Sequence, residues 1–334
     1  MEKQLRLGES HFLQCADVIL PWLNPRELAS VSQTCKALSF ISKSITLHRS
    51  LDAARSLENL PIPFLNTVDS KRYADFIYTP FQIPASTSSP PPRQQWGSAS
   101  NAQISLISDS VSVSLVDGVC GCECERCEEG YCQCLALAAD SNEIGNECGF
   151  GCGCGPDCPN RLTQKGILVG LKIVRDEKKG WCLYADQLIK KGQFICEYAG
   201  ELLTTAEARR RQTIYDKLRS TQQSFSSALL VIREHLPSGQ ACLRINIDAT
   251  RIGNVARFIN HSCDGGNLST VLLRSSGALL PRLCFFAARD IVAGEELSFS
   301  YGDVRLTPEK STENKLNCCC GSSCCCGTLP CENT

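Results

Sequence analysis

The sequence has no charge excess to attract a polyanion. Its 34 Lys and Arg are balanced by 35 Asp and Glu, a formal charge of -1. Phosphate backbones are therefore not drawn to it in general, and direct DNA binding is not expected. No apolar run approaches the ~20 residues that cross a bilayer. The opening MEKQLRLGESHFLQC lacks the compact apolar core of a secretory signal. Both absences exclude a membrane protein and predict an intracellular chain, where thiols stay reduced. At 334 residues it is long enough for about two domains and a full-sized core, so small size does not explain its cysteines.

Those cysteines are the outstanding feature: 24 in all, ten between Cys120 and Cys158 and seven between Cys318 and Cys331. Clustered thiols in a reducing compartment usually serve metals. The scattered Cys15, Cys35, Cys182, Cys196, Cys242, Cys263 and Cys284 read mostly as small core residues. The first cluster reads C-E-C-E-R-C-E-E-G-Y-C-Q-C and then C-G-F-G-C-G-C-G-P-D-C. It presents nine thiols: Cys122, Cys124, Cys127, Cys132, Cys134, Cys148, Cys152, Cys154 and Cys158. Zinc takes four thiolates in a tetrahedron. Three zinc ions need twelve bonds, and nine cysteines supply twelve if three of them bridge two metals each. A disulfide knot is disfavoured by the compartment, and independent zinc fingers by the lack of partner histidines. The role of Cys120 stays open. The glycines around these thiols build no apolar core, so metal would supply most of the folding free energy of residues 120–160.

Residues 10–60 show helical spacing, with breaks at Pro21 and Pro25. The stretch LPWLNPRELASVSQTCKALSFIS resembles an F-box, which implies the adaptor Skp1 as a partner. An amphipathic helical pair packed on the rest of the chain is an equal reading. From Thr79 the text TPFQIPASTSSPPPRQQWGSASN is rich in proline and serine, and a linker is expected over 61–103. Beyond the first cluster come short strand-like runs at 167–174, 181–185, 194–198, 229–233, 243–247, 270–274, 283–287 and 297–301. One helix interrupts them, with Thr204 and Glu207 spaced as a capping box.

Four strings in order then carry a resemblance: Lys179-Gly180-Trp181, Ile195-Cys-Glu-Tyr-Ala-Gly-Glu-Leu202, Arg257-Phe-Ile-Asn-His-Ser-Cys263 and Glu296-Leu-Ser-Phe-Ser-Tyr-Gly302. With the thiol cluster before them and C-x-C-x4-C after, the chain resembles the SET-domain lysine methyltransferases of the Suppressor-of-variegation 3-9 family, nearest the plant Su(var)3-9-related subgroup, over residues 104–334. The resemblance implies a mainly β fold: a pre-SET three-zinc module over 104–166, SET sheets with a pseudoknot over 167–303, and a post-SET zinc segment over 304–334. A small helical unit precedes it at 1–60.

The resemblance also implies the chemistry. Lys179, Gly180, Trp181, Arg257, Asn260 and His261 would hold S-adenosylmethionine. Tyr301 would orient a neutral lysine amine. Phe299 would leave room for a methylated amine, implying di- or trimethyllysine. Cys318, Cys320 and Cys325 would bind zinc, with Cys263 completing the tetrahedron. Taken alone, a glycine-tryptophan turn or one buried histidine is more often structural, and Tyr198, Glu197 and Glu201 are assigned to packing. By the same analogy the substrate is lysine 9 of histone H3 in nucleosomes and the location is nuclear chromatin. Departures from the family pattern are Ile252 where a tyrosine is usual, Cys182 in place of a second glycine, and one extra residue after Cys263. They favour weakened or narrowed activity over complete loss. A catalytically weak chromatin scaffold and a ubiquitin-ligase receptor are the competing functions.

Overall fold

The computed structural model describes residues 13–85, 93–97, 121–128, 131, 132, 134, 144–222, 225–235, 242–302 and 316–330. Cys120, Cys331, the proline-rich 86–92 and the opening of the expected pre-SET span at 104–120 lie outside the described residues. No helix among the described residues is long and apolar enough to cross a membrane.

Helix α1 (Pro25–Ser32) starts at a complete capping box. The Asn24 side chain accepts from the amides of Arg26 and Glu27, and Glu27 accepts from the Asn24 amide at 2.9 Å. Pro25 sits at the first helical position, where no amide is needed. Helix α2 (Lys36–Leu51) packs on it through Leu28, Leu38 and Ile45, with Ala16 and Leu20 closing a small core. Arg49, buried on α2, donates to the carbonyls of Pro21, Leu23 and Trp96 and to the Tyr73 hydroxyl. This guanidinium fastens the helical pair to the chain that follows.

That following chain departs from the expected linker. Strands β1 (Phe64–Leu65), β2 (Ile77–Tyr78) and β3 (Ile83–Pro84) each add in parallel to a strand of the later domain. Ile62, Phe64, Phe76, Tyr78 and Trp96 belong to the main core. Gln94 imitates a strand partner: its side chain accepts from the Tyr78 amide at 2.8 Å and donates to the Tyr78 carbonyl at 2.9 Å. The proline and serine content hid a few widely spaced aromatic anchors, which no periodicity reveals.

The remaining strands are β4 (Gly145–Glu147), β5 (Leu171–Asp176), β6 (Gly180–Ala185), β7 (Phe194–Glu197), β8 (Gly200–Leu203), β9 (Leu229–His235), β10 (Cys242–Gly253), β11 (Asn260–His261), β12 (Leu268–Ser275), β13 (Arg282–Ala287) and β14 (Ser298–Phe299). All eight expected runs contribute strands, and the fold is mainly β. They form small sheets in the orders β1-β5-β6, β2-β10-β8-β3 with β9 also on β10, β4-β12-β13-β7, and β11-β14. Helix α3 (Thr205–Thr221) starts where expected, with the Thr204 hydroxyl accepting from the Glu207 amide at 3.2 Å. Glu207 does not close the box: its carboxylate accepts instead from Arg210 and Arg211.

Strand β14 is held on two sides by one stretch of chain. Asn260 and His261 pair with it in parallel, and Gly266 then bridges Phe299 from the antiparallel direction. This is the crossing that a pseudoknot requires. Gly266 has φ +75°, and a β-carbon there would lie 2.2 Å from the Ser298 carbonyl oxygen, so only glycine fits.

Candidate active site and metal centres

The crossing gathers residues from distant parts of the chain. Asp176 accepts from the Lys179 amide at 2.7 Å, which turns the chain into β6 and aims Lys179 inward. The Lys179 ammonium pairs with Glu296, and Glu296 also accepts from the Asn260 amide group at 3.2 Å. Burial pulls the Lys179 pKa down, but the hydrogen bond and charge of Glu296 outweigh it and leave the ammonium above its ordinary value. Glu296 therefore links the start of β6 to β11. It had no assigned role from sequence, although its position inside the Glu296–Gly302 string was the available signal.

His261 and Tyr301 meet at the floor of this cleft. The Tyr301 backbone amide donates to His261 Nδ1 at 3.1 Å. Nδ1 therefore carries no proton, the proton sits on Nε2, and Nε2 lies 3.2 Å from Cys263 Sγ. Burial lowers the His261 pKa and keeps the ring neutral, against a weaker opposing pull from Asp264. The Tyr301 hydroxyl donates to the Ile259 carbonyl at 2.7 Å. Burial, reinforced by Cys182 and Glu296, pushes this phenol well above its ordinary pKa, so it stays protonated. The Phe299 ring lies 4.9 Å from Tyr301 and 4.8 Å from Phe285.

The side chains of two of the expected cofactor residues rest on aromatic rings. The Trp181 ring packs edge-on against Phe64 at 5.2 Å, with Arg175 over it. The Arg257 guanidinium lies over the rings of Phe76 and Phe258, and burial lowers its pKa to about 10. Both side chains pack on aromatic surfaces, while Lys179, Asn260 and His261 converge. Ile252 is buried in the sheet beside Ile77 of β2, so no hydroxyl stands at that position.

The thiols gather as groups with shared members. Cys122, Cys132, Cys134 and Cys148 form one set, Cys122, Cys124, Cys127 and Cys132 another, and Cys122, Cys127, Cys148 and Cys154 a third, each with all sulfurs within 4.8 Å of one another. Cys152 lies 3.9 Å from Cys134, and Cys158 is buried in the same cluster. Measured separations include 3.6 Å for Cys122–Cys127 and 3.5 Å for Cys127–Cys148. A tetrahedron with zinc–sulfur bonds of about 2.3 Å has edges of about 3.8 Å, whereas a disulfide is about 2.05 Å long. The donor set and spacing therefore fit zinc, and the shared sulfurs are what a bridged cluster needs. A second set, Cys263, Cys318, Cys320 and Cys325, meets the same criterion, with Cys263–Cys318 at 3.7 Å. It lies directly beneath His261. Backbone amides of Gly149, Asn160, Cys326 and Gly327 donate to sulfurs of Cys152, Cys158, Cys263 and Cys325.

A knotted β cleft with a tyrosine at its floor, set between two thiol clusters, defines a SET-domain protein. The sequence model of the SET domain matches residues 180–302. The chain is 78% identical over 331 residues to "Histone-lysine N-methyltransferase SUVR3" of Arabidopsis thaliana, covering 97% of this chain and 92% of that one. It therefore belongs to the Suppressor-of-variegation 3-9 family and is a SET-domain histone-lysine N-methyltransferase. Among solved structures, the methyltransferase domain of human SETMAR superposes with a TM-score of 0.63 at 31% identity, covering 84% of this chain and 97% of that one. KRYPTONITE in complex with mCHH DNA, H3(1-15) peptide and SAH gives a TM-score of 0.59 at 26% identity, covering 83% of this chain and 53% of that one.

Proposed function

We propose that the chain transfers methyl groups from S-adenosylmethionine to lysine 9 of histone H3, forming di- or trimethyllysine, on nuclear chromatin in gene silencing. The observation that carries the reading is the Tyr301 hydroxyl held on the Ile259 carbonyl at 2.7 Å beside Phe299, which has no hydroxyl. Because the Tyr301 proton is committed to Ile259, its oxygen can accept from an incoming amine. The raised phenol pKa means that Tyr301 orients the amine and does not deprotonate it. Buried aromatic walls at Phe285 and Phe299 disfavour an ammonium by desolvation and so favour the neutral nucleophile. When bound, S-adenosylmethionine supplies the electrophilic methyl group. Positioning then does most of the catalytic work, and Lys179, Gly180, Asn260 and His261 are the residues that would hold the donor. Phe299 offers space where a tyrosine hydroxyl would fill it, which supports the higher methylation states.

Zinc would occupy both thiol clusters, three ions in the first and one in the second. The second would build a wall of the lysine channel from the C-terminal segment. The related structure with an H3 peptide supports the choice of substrate, since the chain shares that fold. Exposed Val18, Trp22 and Phe40 on the helical unit favour a second reading, docking of Skp1. A Skp1 pull-down with the full chain, against a W22A/F40A variant, decides it.

The main test is methylation of an H3 peptide array with labelled donor. Signal should appear on peptides containing lysine 9 and fall about 100-fold with Tyr301→Phe, an effect worth about 2.7 kcal/mol. Equal signal from a different lysine overturns the substrate assignment, and an active Tyr301→Phe overturns the role of the hydroxyl.

A further inference from the structure

The two strings expected to hold the methyl donor each place an aromatic side chain against a common ring. Trp181 follows Gly180, which takes a left-handed φ of +86° where the chain enters β6. Phe258 closes the short 3-10 turn Val255–Phe258 that leads into Asn260 and His261. Phe64 of β1 meets both: its ring lies edge-on to Trp181 at 5.2 Å and to Phe258 at 6.1 Å. Phe64 is buried, and the parallel pairing of β1 with β5 fixes its backbone opposite Ile173. Edge-to-face contacts are directional, so each sets an angle as well as a distance. Phe76 supports one string only. Its ring lies 5.6 Å from Phe258, with the Arg257 guanidinium 4.7 Å from its centroid.

We infer that Phe64 is a positioning residue for methyl transfer: it wedges between the Gly180–Trp181 turn and the Arg257–His261 string and sets the width of the donor cleft. It acts through Trp181 and Phe258. Phe258 precedes Ile259, whose carbonyl accepts from the Tyr301 hydroxyl at 2.7 Å, and stands two residues before Asn260. Trp181 stands two residues after Lys179, which is paired with Glu296. Peptide units are planar and stiff, so a shift of either ring reaches a group in the cleft within one or two of them. Phe64 itself lies outside the stretch that matches the SET domain, residues 180–302. The helical unit steadies the same wedge: Arg49 donates to the Tyr73 hydroxyl at 2.9 Å, and the Tyr73 ring lies 6.4 Å from Phe64.

The inference rests on the donor site proposed above for what the cleft holds, but the packing that sets its width is independent of that reading. Hydrogen exchange on the donor-free full chain and calorimetry with S-adenosylhomocysteine would be run on the parent, F64L, F76L and F194L. Phe194 pairs with Phe286 at 5.5 Å in a different sheet, so F194L controls for the general loss of a buried ring. F64L should speed exchange in both 179–183 and 257–262 and weaken binding about tenfold. F76L should loosen 257–262 alone, and F194L should lower the urea midpoint while leaving both segments and the affinity at parent values. If F64L yields no folded protein, F64M fills the space without a ring and takes its place. The inference is overturned if the two segments keep parent rates in the Phe64 variant, if the whole chain loosens evenly, or if F194L weakens binding as much. A parent chain that binds no S-adenosylhomocysteine would sink the donor reading alone, and the exchange pattern would still decide whether Phe64 holds the two strings.

Discussion

The SET sheets and residues 122–158 exclude water from their interiors with opposite materials. The sheets bury Leu171, Ile173, Leu183, Ile195, Ile247 and Phe285, side chains whose removal from water stabilises by about 1.5–3 kcal/mol each. The thiol module buries eight cysteines as a cluster of their own, with Cys124 the only further apolar residue packed against it among the described residues. Its interior is held together by whatever binds sulfur. Burial pushes the Cys122 thiol up to about 12, so at neutral pH this sulfur becomes thiolate only if a cation compensates. One fold thus combines a region buried as apolar side chains with a region buried as thiols placed to hold metal.

Metal removal should therefore break the comparison most sharply. Chelation of the full chain should cost residues 121–160 their structure, since structural zinc contributes an apparent ~10–16 kcal/mol at neutral pH. Hydrogen exchange should show these amides losing protection while β12 and β13 stay protected. Uniform loss across both regions would show that the sheets also depend on the metal.

The joint between the two regions comes next in size. Arg282 on β13 donates to Glu147 of β4 at 2.8 Å and to Glu197 of β7 at 3.2 Å. Glu147 in turn accepts from the Thr163 amide and hydroxyl at the exit of the thiol module. Burial would lower the Arg282 pKa, but Glu197 and its neighbours outweigh that and raise it. Arg282→Ala strands two buried carboxylates, which costs about 3–5 kcal/mol. The urea midpoint should fall accordingly, and the thiol module should become the first site of proteolysis. A midpoint within error of the parent chain would mean that the two regions are not coupled through this cation.

How much of this the sequence shows follows the same division. The thiol sets were legible because metal ligation imposes residue type and spacing together, and nine cysteines with Cys263, Cys318, Cys320 and Cys325 do come together as read. The longer strands were legible from alternation. Strands of two to four residues such as β1, β3 and β8 carry too few positions to show a period, and the anchors Gln94 and Trp96 sit in text that reads as linker. In the cleft, Asn260 and His261 stand in one string and Tyr301 in another, and the fold brings the two together. Glu296 was missed because a carboxylate's job depends on which cation folds beside it, and the Ile259 carbonyl because every residue has one. The side chains of Arg257 and Trp181 pack on aromatic rings; a motif fixes that a residue matters but not whether its side chain or its backbone faces the ligand.

Acid offers a finer separation of the two regions. On α3, Glu207 is held at a pKa of about 2, first by its hydrogen bond to Arg210 and then by Arg211. Its folded value lies below the unfolded one near 4.5. The stability it contributes is therefore complete above that value and is lost as pH falls from about 4.5 toward about 2. Glu207 is partly exposed, so the effect is roughly a few tenths of a kcal/mol. Glu207→Gln should lower the urea midpoint slightly at pH 6 and converge on the parent chain only as pH falls to about 2. Metal loss by thiolate protonation falls in the same acid range, but it affects both proteins alike and cancels in their difference. A difference that grows toward low pH would carry the wrong sign for a paired carboxylate, and the helix would then owe its anchorage to Arg211 with Glu201 and Asp248 and not to Glu207.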